Sequence, residues 1–339
     1  MIITRTPFRV TLGGGGTDLP SYYEKHGGFI FSFTLNKYMY INVKLDFADD
    51  LIRIKYSKSE TVNKINEIKH DIARECLRKQ GFTKAIEIVS MADIPAGSGL
   101  GSSSSYTVGL LHALHTIKRN NIPLQDLAEE ACEIEMDILK KPIGKQDQFL
   151  AVFGGFIVLE ISIDGKVAVS RAKLRPSTID DLKRNLLMFY TGRKRDNKEI
   201  LGSQDKATQQ GNNQVLNSLH YIKESGYKIL DIVESGNITE LGKMFDEHWK
   251  YKKRLAKGIT NPWFDEIYSE AKKNGVIGGK ISGAGGGGFF TFYCEDGQQK
   301  LRATMKKMGL RELKFDFDFE GTKVLANFIN YQYNFLGVI

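Results

Sequence analysis

The chain has 339 residues, 41% of them hydrophobic and 26% charged, with a formal net charge of +8. That length fills one large domain or two of ordinary size, and no run of about eighteen apolar residues is present to span a membrane. The basic residues are dispersed among acidic ones, which argues against a nucleic-acid surface and suits an enzyme whose ligands are anions. Three cysteines, Cys76, Cys132 and Cys294, sit far apart in a pattern that fits neither disulfides nor a metal, as in a reducing cytoplasm. Residues 1–7 read as too short and polar for a secretory signal.

Residues 2–12 read as a strand through Ile2, Val10 and Leu12. Gly13, Gly14, Gly15 and Gly16, then Thr17 and Asp18, break it. A plain turn needs one or two glycines, and a run of four costs conformational entropy on folding. Close approach of a ligand to this backbone therefore explains the run better than a flexible turn does. Asp18 would offer that ligand a carboxylate, with Arg9 nearby if its strand runs beside the site. Alternation and β-branched residues over 29–57 predict two or three strands. Val62, Ile65, Ile68, Ile72, Cys76 and Leu77 predict an amphipathic helix ending near Gly81.

Residues 86–91 alternate like a strand, and 106–117 carry apolar residues at helical spacing. Between them lie Pro95, Gly97, Ser98, Gly99, Leu100, Gly101, Ser102, Ser103 and Ser104. A helix start presents free N–H groups and the positive end of the dipole. Glycines admit a ligand to the backbone and serines donate hydroxyls, which together is the chemistry of a phosphate cradle. A Gly/Ser-rich surface loop would have the same composition. Neither the lysine-bearing end of a Walker loop nor the dinucleotide fingerprint fits this stretch. His112 and His115 share a helix face with nothing to complete a zinc set, so both read as structural.

Residues 124 to about 140 predict one helix with an apolar arc through Leu127, Ala128, Ala131 and Ile134. Glu129, Glu130, Glu133 and Asp137 point away from the arc, whereas Glu135 falls inside it. A buried carboxylate needs a cation. An ion pair and a magnesium ion are the two readings. Asp147, by itself, reads as a turn or helix-cap residue. Residues 156–174 predict a hairpin turning at Asp164-Gly165, and 176–181 a domain boundary. A buried strand over 186–192 leads to Arg193, Lys194 and Arg195, a solvated loop or an anion site. Residues 196–256 are helical in period. A third glycine run, 283–288, separates two apolar segments and reads as a tight loop near a ligand. A helix over 301–308 and two strands close the chain.

The pattern Pro95-x-x-x-Gly99-Leu100-Gly101-Ser102-Ser103 resembles the second motif of the galactokinase, homoserine kinase, mevalonate kinase and phosphomevalonate kinase (GHMP) superfamily. Arg9 through Asp18 resembles the first motif of its sugar kinases. The glycine-run version looks like that of heptose 7-phosphate kinases and the kinase part of fucokinases. Lys280-x-x-Gly283-Ala284-Gly285-Gly286 resembles the third motif, and the surroundings of Asp147 resemble galactokinases.

The resemblance implies a two-domain α+β fold: residues 1–178 as a mixed sheet with helices, ribosomal-protein-like, and residues 179–339 as a ferredoxin-like domain. It implies ATP and Mg²⁺ as cofactors. The nucleotide would lie on the loop from Pro95 to Ser104, under Gly285 and Gly286. Glu135 with Ser103, or with Ser102, would hold the metal. Asp147 would be the catalytic base, kept ionised by Arg9. Gly15, Gly16, Thr17 and Asp18, with Arg193, Lys194 and Arg195, would bind the sugar. The expected reaction phosphorylates the anomeric (C1) hydroxyl of heptose 7-phosphate. A fucokinase-like or other sugar 1-kinase is the nearest alternative, and a non-catalytic sugar/ATP sensor or a nucleic-acid binder the alternatives of another class. The expected protein is cytoplasmic, with a phosphorylated sugar and ATP as partners, no nucleic acid or membrane, and a homodimer left open.

Overall fold

The computed structural model describes residues 1–193 and 197–329, so Lys194 and Arg195 lie outside the described residues. Along the chain the strands are β1 (Ile2–Gly13), β2 (Gly28–Leu45), β3 (Ile52–Lys55), β4 (Ser59–Val62), β5 (Ile86–Ala92), β6 (Phe156–Ile161) and β7 (Val167–Arg171). They continue with β8 (Leu186–Tyr190), β9 (Gly278–Ile281), β10 (Phe289–Tyr293), β11 (Arg311–Leu313), β12 (Phe317–Asp318) and β13 (Lys323–Asn327). Strands β8 to β11 form a four-stranded antiparallel sheet in the order β11-β8-β10-β9. The others make a nine-stranded mixed sheet with the path β13-β1-β2-β5-β3-β4; β6 and β12 also pair with β2, and β7 with β6. Only β3 and β5 run parallel among the described pairs.

The two or three strands expected over 29–57 are two, β2 and β3, and β2 alone runs 18 residues. Its first part pairs with β6 and its second with β5, so a single strand serves both neighbours. Residues 28–35 are all buried, because the helices Ser102–Ile117 and Asn213–Ser235 both pack on this strand. The first of these helices lies very close to the sheet. A Cβ on Gly109 would stand 2.8 Å from Thr6 Oγ1, and Thr4 Oγ1 donates to the Gly109 carbonyl at 2.9 Å. The Arg9 N–H donates to the Leu100 carbonyl at 3.1 Å, which ties the loop before that helix to β1.

The helix expected over 62–81 is shorter. Val62 belongs to β4, Ile65–Glu67 is a 3₁₀ turn, and the helix runs Asp71–Gln80 before a left-handed Gly81. Ile68, Ile72, Cys76 and Leu77 are buried nonetheless, so the periodicity followed the core rather than the backbone. The helix expected over 124–140 is α-helical from Leu124 to Cys132, then π-helical over Glu133–Ile138. Single π turns inside α-helices are frequent at functional sites. Residues 176–181 begin the helix Pro176–Asn185, which leads into β8.

The second sheet carries the helices Thr239–Lys252 and Pro262–Lys273. A Cβ on Gly278 would stand 1.9 Å from the Gly242 carbonyl, so β9 and the first of these helices touch through their backbones. The two halves meet in the same way: a Cβ on Gly13 would stand 2.6 Å from Gly226 Cα. After β11 the chain returns to the first sheet, with β12 on β2 and β13 on β1. Residues 317–327 thus complete the first sheet, although the expected division at 178/179 assigns them to the second unit.

Candidate active site

The loop after β5 reaches the Ser102–Ile117 helix through three left-handed glycines, Gly97, Gly99 and Gly101, at φ of 75, 79 and 83°. Side chains are disfavoured at such angles, and Gly101 is the residue from which the helix starts. The same glycines, with Ser102, Ser103 and Ser104, line a cavity at the helix N-terminus. Unsatisfied N–H groups and the helix dipole favour an anion there. Three expected contacts of the loop itself are not in its wall. Leu100 is buried in the core, Pro95 is exposed, and Ser98 is buried with its hydroxyl unpartnered.

The third glycine run lies over this loop, through glycines other than those expected. A Cβ on Gly283 would stand 2.6 Å from the Gly99 carbonyl, and one on Gly288 2.0 Å from the Ser98 carbonyl. Gly285 and Gly286 instead pack on Ile259, whose carbonyl accepts from Gly286 N–H at 2.8 Å. They brace the run, and Gly283 and Gly288 make the close approach.

Beside the loop, Ser103 Oγ donates to Glu135 Oε1, so Ser103 rather than Ser102 meets the carboxylate. Glu135 is fully buried in the π turn, and its Oε2 accepts from Gln148 Nε2 at 2.9 Å. Lys141 Nζ lies 3.4 Å from Glu135 and 3.2 Å from Ser103 Oγ. Glu135 therefore has its ion pair and also shares a position with a hydroxyl at the phosphate cavity. One carboxylate and one hydroxyl are hard oxygen donors that suit Mg²⁺, which usually takes its remaining ligands from water and nucleotide phosphates. No group of three or more His, Cys, Asp or Glu placed to hold a metal ion occurs among the described residues.

Asp147 stands in the first turn of the helix Gln146–Phe153. Arg9 Nε and Nη2 both approach Asp147 Oδ1 at 2.6 Å, while Nη1 donates to the Gly99 carbonyl at 2.8 Å. One guanidinium thus locks Asp147 to the phosphate loop and leaves Oδ2 as the freer carboxylate oxygen. Arg9 and Asp147 also line a second cavity, which continues past Gly15, Gly16 and Asp18. Asp18 is buried and accepts from Gly16 N–H, Gln146 N–H and Gln146 Nε2 at 3.1 to 3.2 Å. Burial pushes its carboxyl above the usual range, against the pull of the backbone donors.

Two expected sugar contacts are elsewhere. The Thr17 hydroxyl donates to the Gly14 and Phe29 carbonyls and accepts from Phe29 N–H, so it fastens the glycine turn. Arg193 lies over the Trp263 ring at 4.3 Å and is absent from the walls of both cavities. Conversely, the second cavity contains residues to which the sequence assigned no site role: Gln204, His248, Lys252 and Lys280, the last of them named only as the start of the third motif. A lysine inside the otherwise apolar and glycine segment before the third loop was the one available signal. The two histidines of the Ser102–Ile117 helix are structural, His115 bonded to Glu130 at 2.6 Å and His112 to Thr322 at 3.2 Å.

Comparison with known proteins gives this arrangement its class. The GHMP kinases N terminal domain matches residues 63–155, and the GHMP kinases C terminal domain matches residues 229–309. D-glycero-alpha-D-manno-heptose 7-phosphate kinase of Campylobacter jejuni is 30% identical over 339 residues, covering 95% of this chain and 98% of that one. L-fucokinase/L-fucose-1-P guanylyltransferase of Bacteroides fragilis is 26% identical over 88% of this chain and 35% of its own length. The crystal structure of a D-glycero-D-manno-heptose 1-phosphate kinase from Bacteroides thetaiotaomicron shares the fold, with a TM-score of 0.78 at 23% identity over 97% of this chain and all of that one. The chain belongs to the GHMP kinases. Within them it is an ATP-dependent sugar kinase.

Proposed function

We propose that the protein transfers the γ-phosphoryl group of MgATP to the C1 hydroxyl of D-glycero-D-manno-heptose 7-phosphate, in the cytoplasm. The products are the 1,7-bisphosphate and ADP, a step toward nucleotide-activated heptose. The observation that carries this is the position of Asp147, in the wall of both the phosphate-loop cavity and the Asp18 cavity. Phosphoryl transfer needs the acceptor oxygen and the γ-phosphorus to meet in line, with a base at the acceptor's proton. The identity of the sugar is supported by the end-to-end similarity to a heptose 7-phosphate kinase.

In this reading the first-turn N–H groups of the Ser102–Ile117 helix and the loop glycines hold the nucleotide phosphates. Glu135 and Ser103 would hold Mg²⁺, which when bound offsets charge on those phosphates. Asp18 accepts from sugar hydroxyls and orients the ring. Asp147 Oδ2 takes the C1 hydroxyl proton as that oxygen bonds to the γ-phosphorus. The bond from the γ-phosphorus to its bridging oxygen breaks, and ADP leaves with that electron pair. Arg9 keeps Oδ1 occupied, so the carboxylate presents one oxygen to the acceptor.

The test is ADP release with MgATP across heptose 7-phosphate, fucose, galactose, mannose and sedoheptulose 7-phosphate, with Asp147→Asn in parallel. Turnover with heptose 7-phosphate that disappears in the variant supports substrate and base together. Preference for fucose or another unphosphorylated sugar keeps the kinase and removes the heptose assignment. Tight ATP binding without turnover on any sugar points to the sensor reading.

A further inference from the structure

One wall of the Asp18 cavity carries a cluster of buried donors without a carboxylate partner among the described residues. Lys280 is 3% exposed; its ammonium donates to the Leu12 carbonyl and lies 3.5 Å from His248 Nε2. Lys252 is partly exposed as a residue, but its ammonium turns inward and donates to the Ile281 and Gly283 carbonyls at 2.7 and 2.6 Å. An ammonium has three N–H groups, so each lysine retains one. Neither has a carboxylate partner among the described residues. Gln204 is buried in the same wall, and its Nε2 has no hydrogen-bond partner.

Such a cluster is costly in the unliganded protein. An unpaired buried cation loses its hydration and gains no Coulombic return. Here the cations also oppose one another. Burial, and then Arg9, push Lys252 down to about 7. Burial and Lys252 push Lys280 well below its ordinary value. His248 is held neutral by burial and by both lysines. A dianion at this wall would satisfy the spare N–H groups and restore the lysine charges. These residues line the Asp18 cavity and are absent from the wall of the phosphate-loop cavity, so the anion they suit belongs to the acceptor rather than to the nucleotide.

We propose that Lys252, Lys280 and Gln204 form the receptor for the second phosphate of the acceptor, the group at the end of the sugar remote from C1. The proposal rests on the reading of the acceptor as a sugar phosphate. It moves that phosphate from the Arg193 loop to the interior.

Titration calorimetry without nucleotide tests it, comparing heptose 7-phosphate with the same heptose lacking phosphate. The wild-type protein is expected to prefer the phosphorylated sugar by about 100-fold, the effect of two charge-assisted contacts. Lys280→Met and Lys252→Met should each shrink that ratio about tenfold or more. Replacing an unpaired buried cation leaves no orphaned partner charge, so both variants should fold. Thermal melting and ATP binding check this, and Lys252→Met, at a helix end, carries the test if Lys280→Met does not fold. An unchanged ratio in a folded variant overturns the receptor, as does a wild-type protein that binds both sugars equally. ADP release is read separately. Calorimetric preference without turnover keeps the receptor and removes the proposed reaction, and turnover without preference does the reverse.

Discussion

The two cavities that meet at Asp147 are built from different materials. The phosphate-loop cavity has one wall of backbone and hydroxyls from a single short stretch: left-handed glycines, the first turn of one helix and three consecutive serines. The Asp18 cavity is mostly side chains delivered by β1, the glycine turn after it, the helix Gln146–Phe153, two helices of the second half and β9. A triphosphate is the same in every nucleotide, so a backbone cradle suffices for it. A particular sugar must be told from others, which takes placed carboxylates, amides and cations. The contrast predicts that damage on one side should spare binding on the other, and that damage to Asp147, which is in the wall of both, should stop the reaction.

The largest effect is expected at Asp147. Asp147→Asn removes the proton acceptor, and kcat should fall by about 10²- to 10⁴-fold while ATP and sugar still bind. Single-turnover kinetics with parallel calorimetry reads both quantities. On the backbone side, Gly288→Ala places a Cβ 2.0 Å from the Ser98 carbonyl at a φ of +85°. Nucleotide affinity should drop by about tenfold or more, the scale of a strained backbone, with a lower melting temperature. Sugar binding should change less; an equal loss of both would break the separation. Ser103→Ala should raise the Mg²⁺ concentration for half-maximal activity by about tenfold, one lost polar contact, at saturating sugar.

The smallest effect concerns stability alone. Burial pushes His112 down to about 4. The unfolded chain binds this proton first, near the ordinary histidine value of about 6.5. The contribution is therefore complete above that value and is lost as pH falls through it toward 4. Between pH 7.5 and 5 the melting temperature should fall, and His112→Gln should flatten that fall by about 2 °C or more. His112 bonds Thr322 and is in neither cavity wall, so kcat should stay put.

What could be read in advance divides along the same line. The phosphate loop was legible because its residues are contiguous and sit between a period-2 and a period-3.6 segment. Glu135 was legible as a carboxylate out of place on an apolar arc, and it is buried as that argument requires. Which glycines of the third run approach the loop was not legible. Composition does not give φ, and the run uses Gly283 and Gly288 for the approach where Gly285 and Gly286 were expected. Lys252, Lys280 and Gln204 come from three elements distant in sequence, and only tertiary packing gathers them. Lys252 in particular was hidden inside a basic run that looks like a solvated helix face. The return of β12 and β13 to the first sheet is a pairing across about 280 and about 320 residues, for which local periodicity carries no signal.

Phosphorus NMR of the reaction mixture tests the proposed chemistry most directly. With MgATP and heptose 7-phosphate, the 7-phosphate signal should persist. A second sugar phosphate signal, split by the anomeric proton, should grow in step with ADP and be absent with Asp147→Asn. Growth of a phosphate on any other hydroxyl, or loss of ATP without a new sugar phosphate, would contradict transfer to C1.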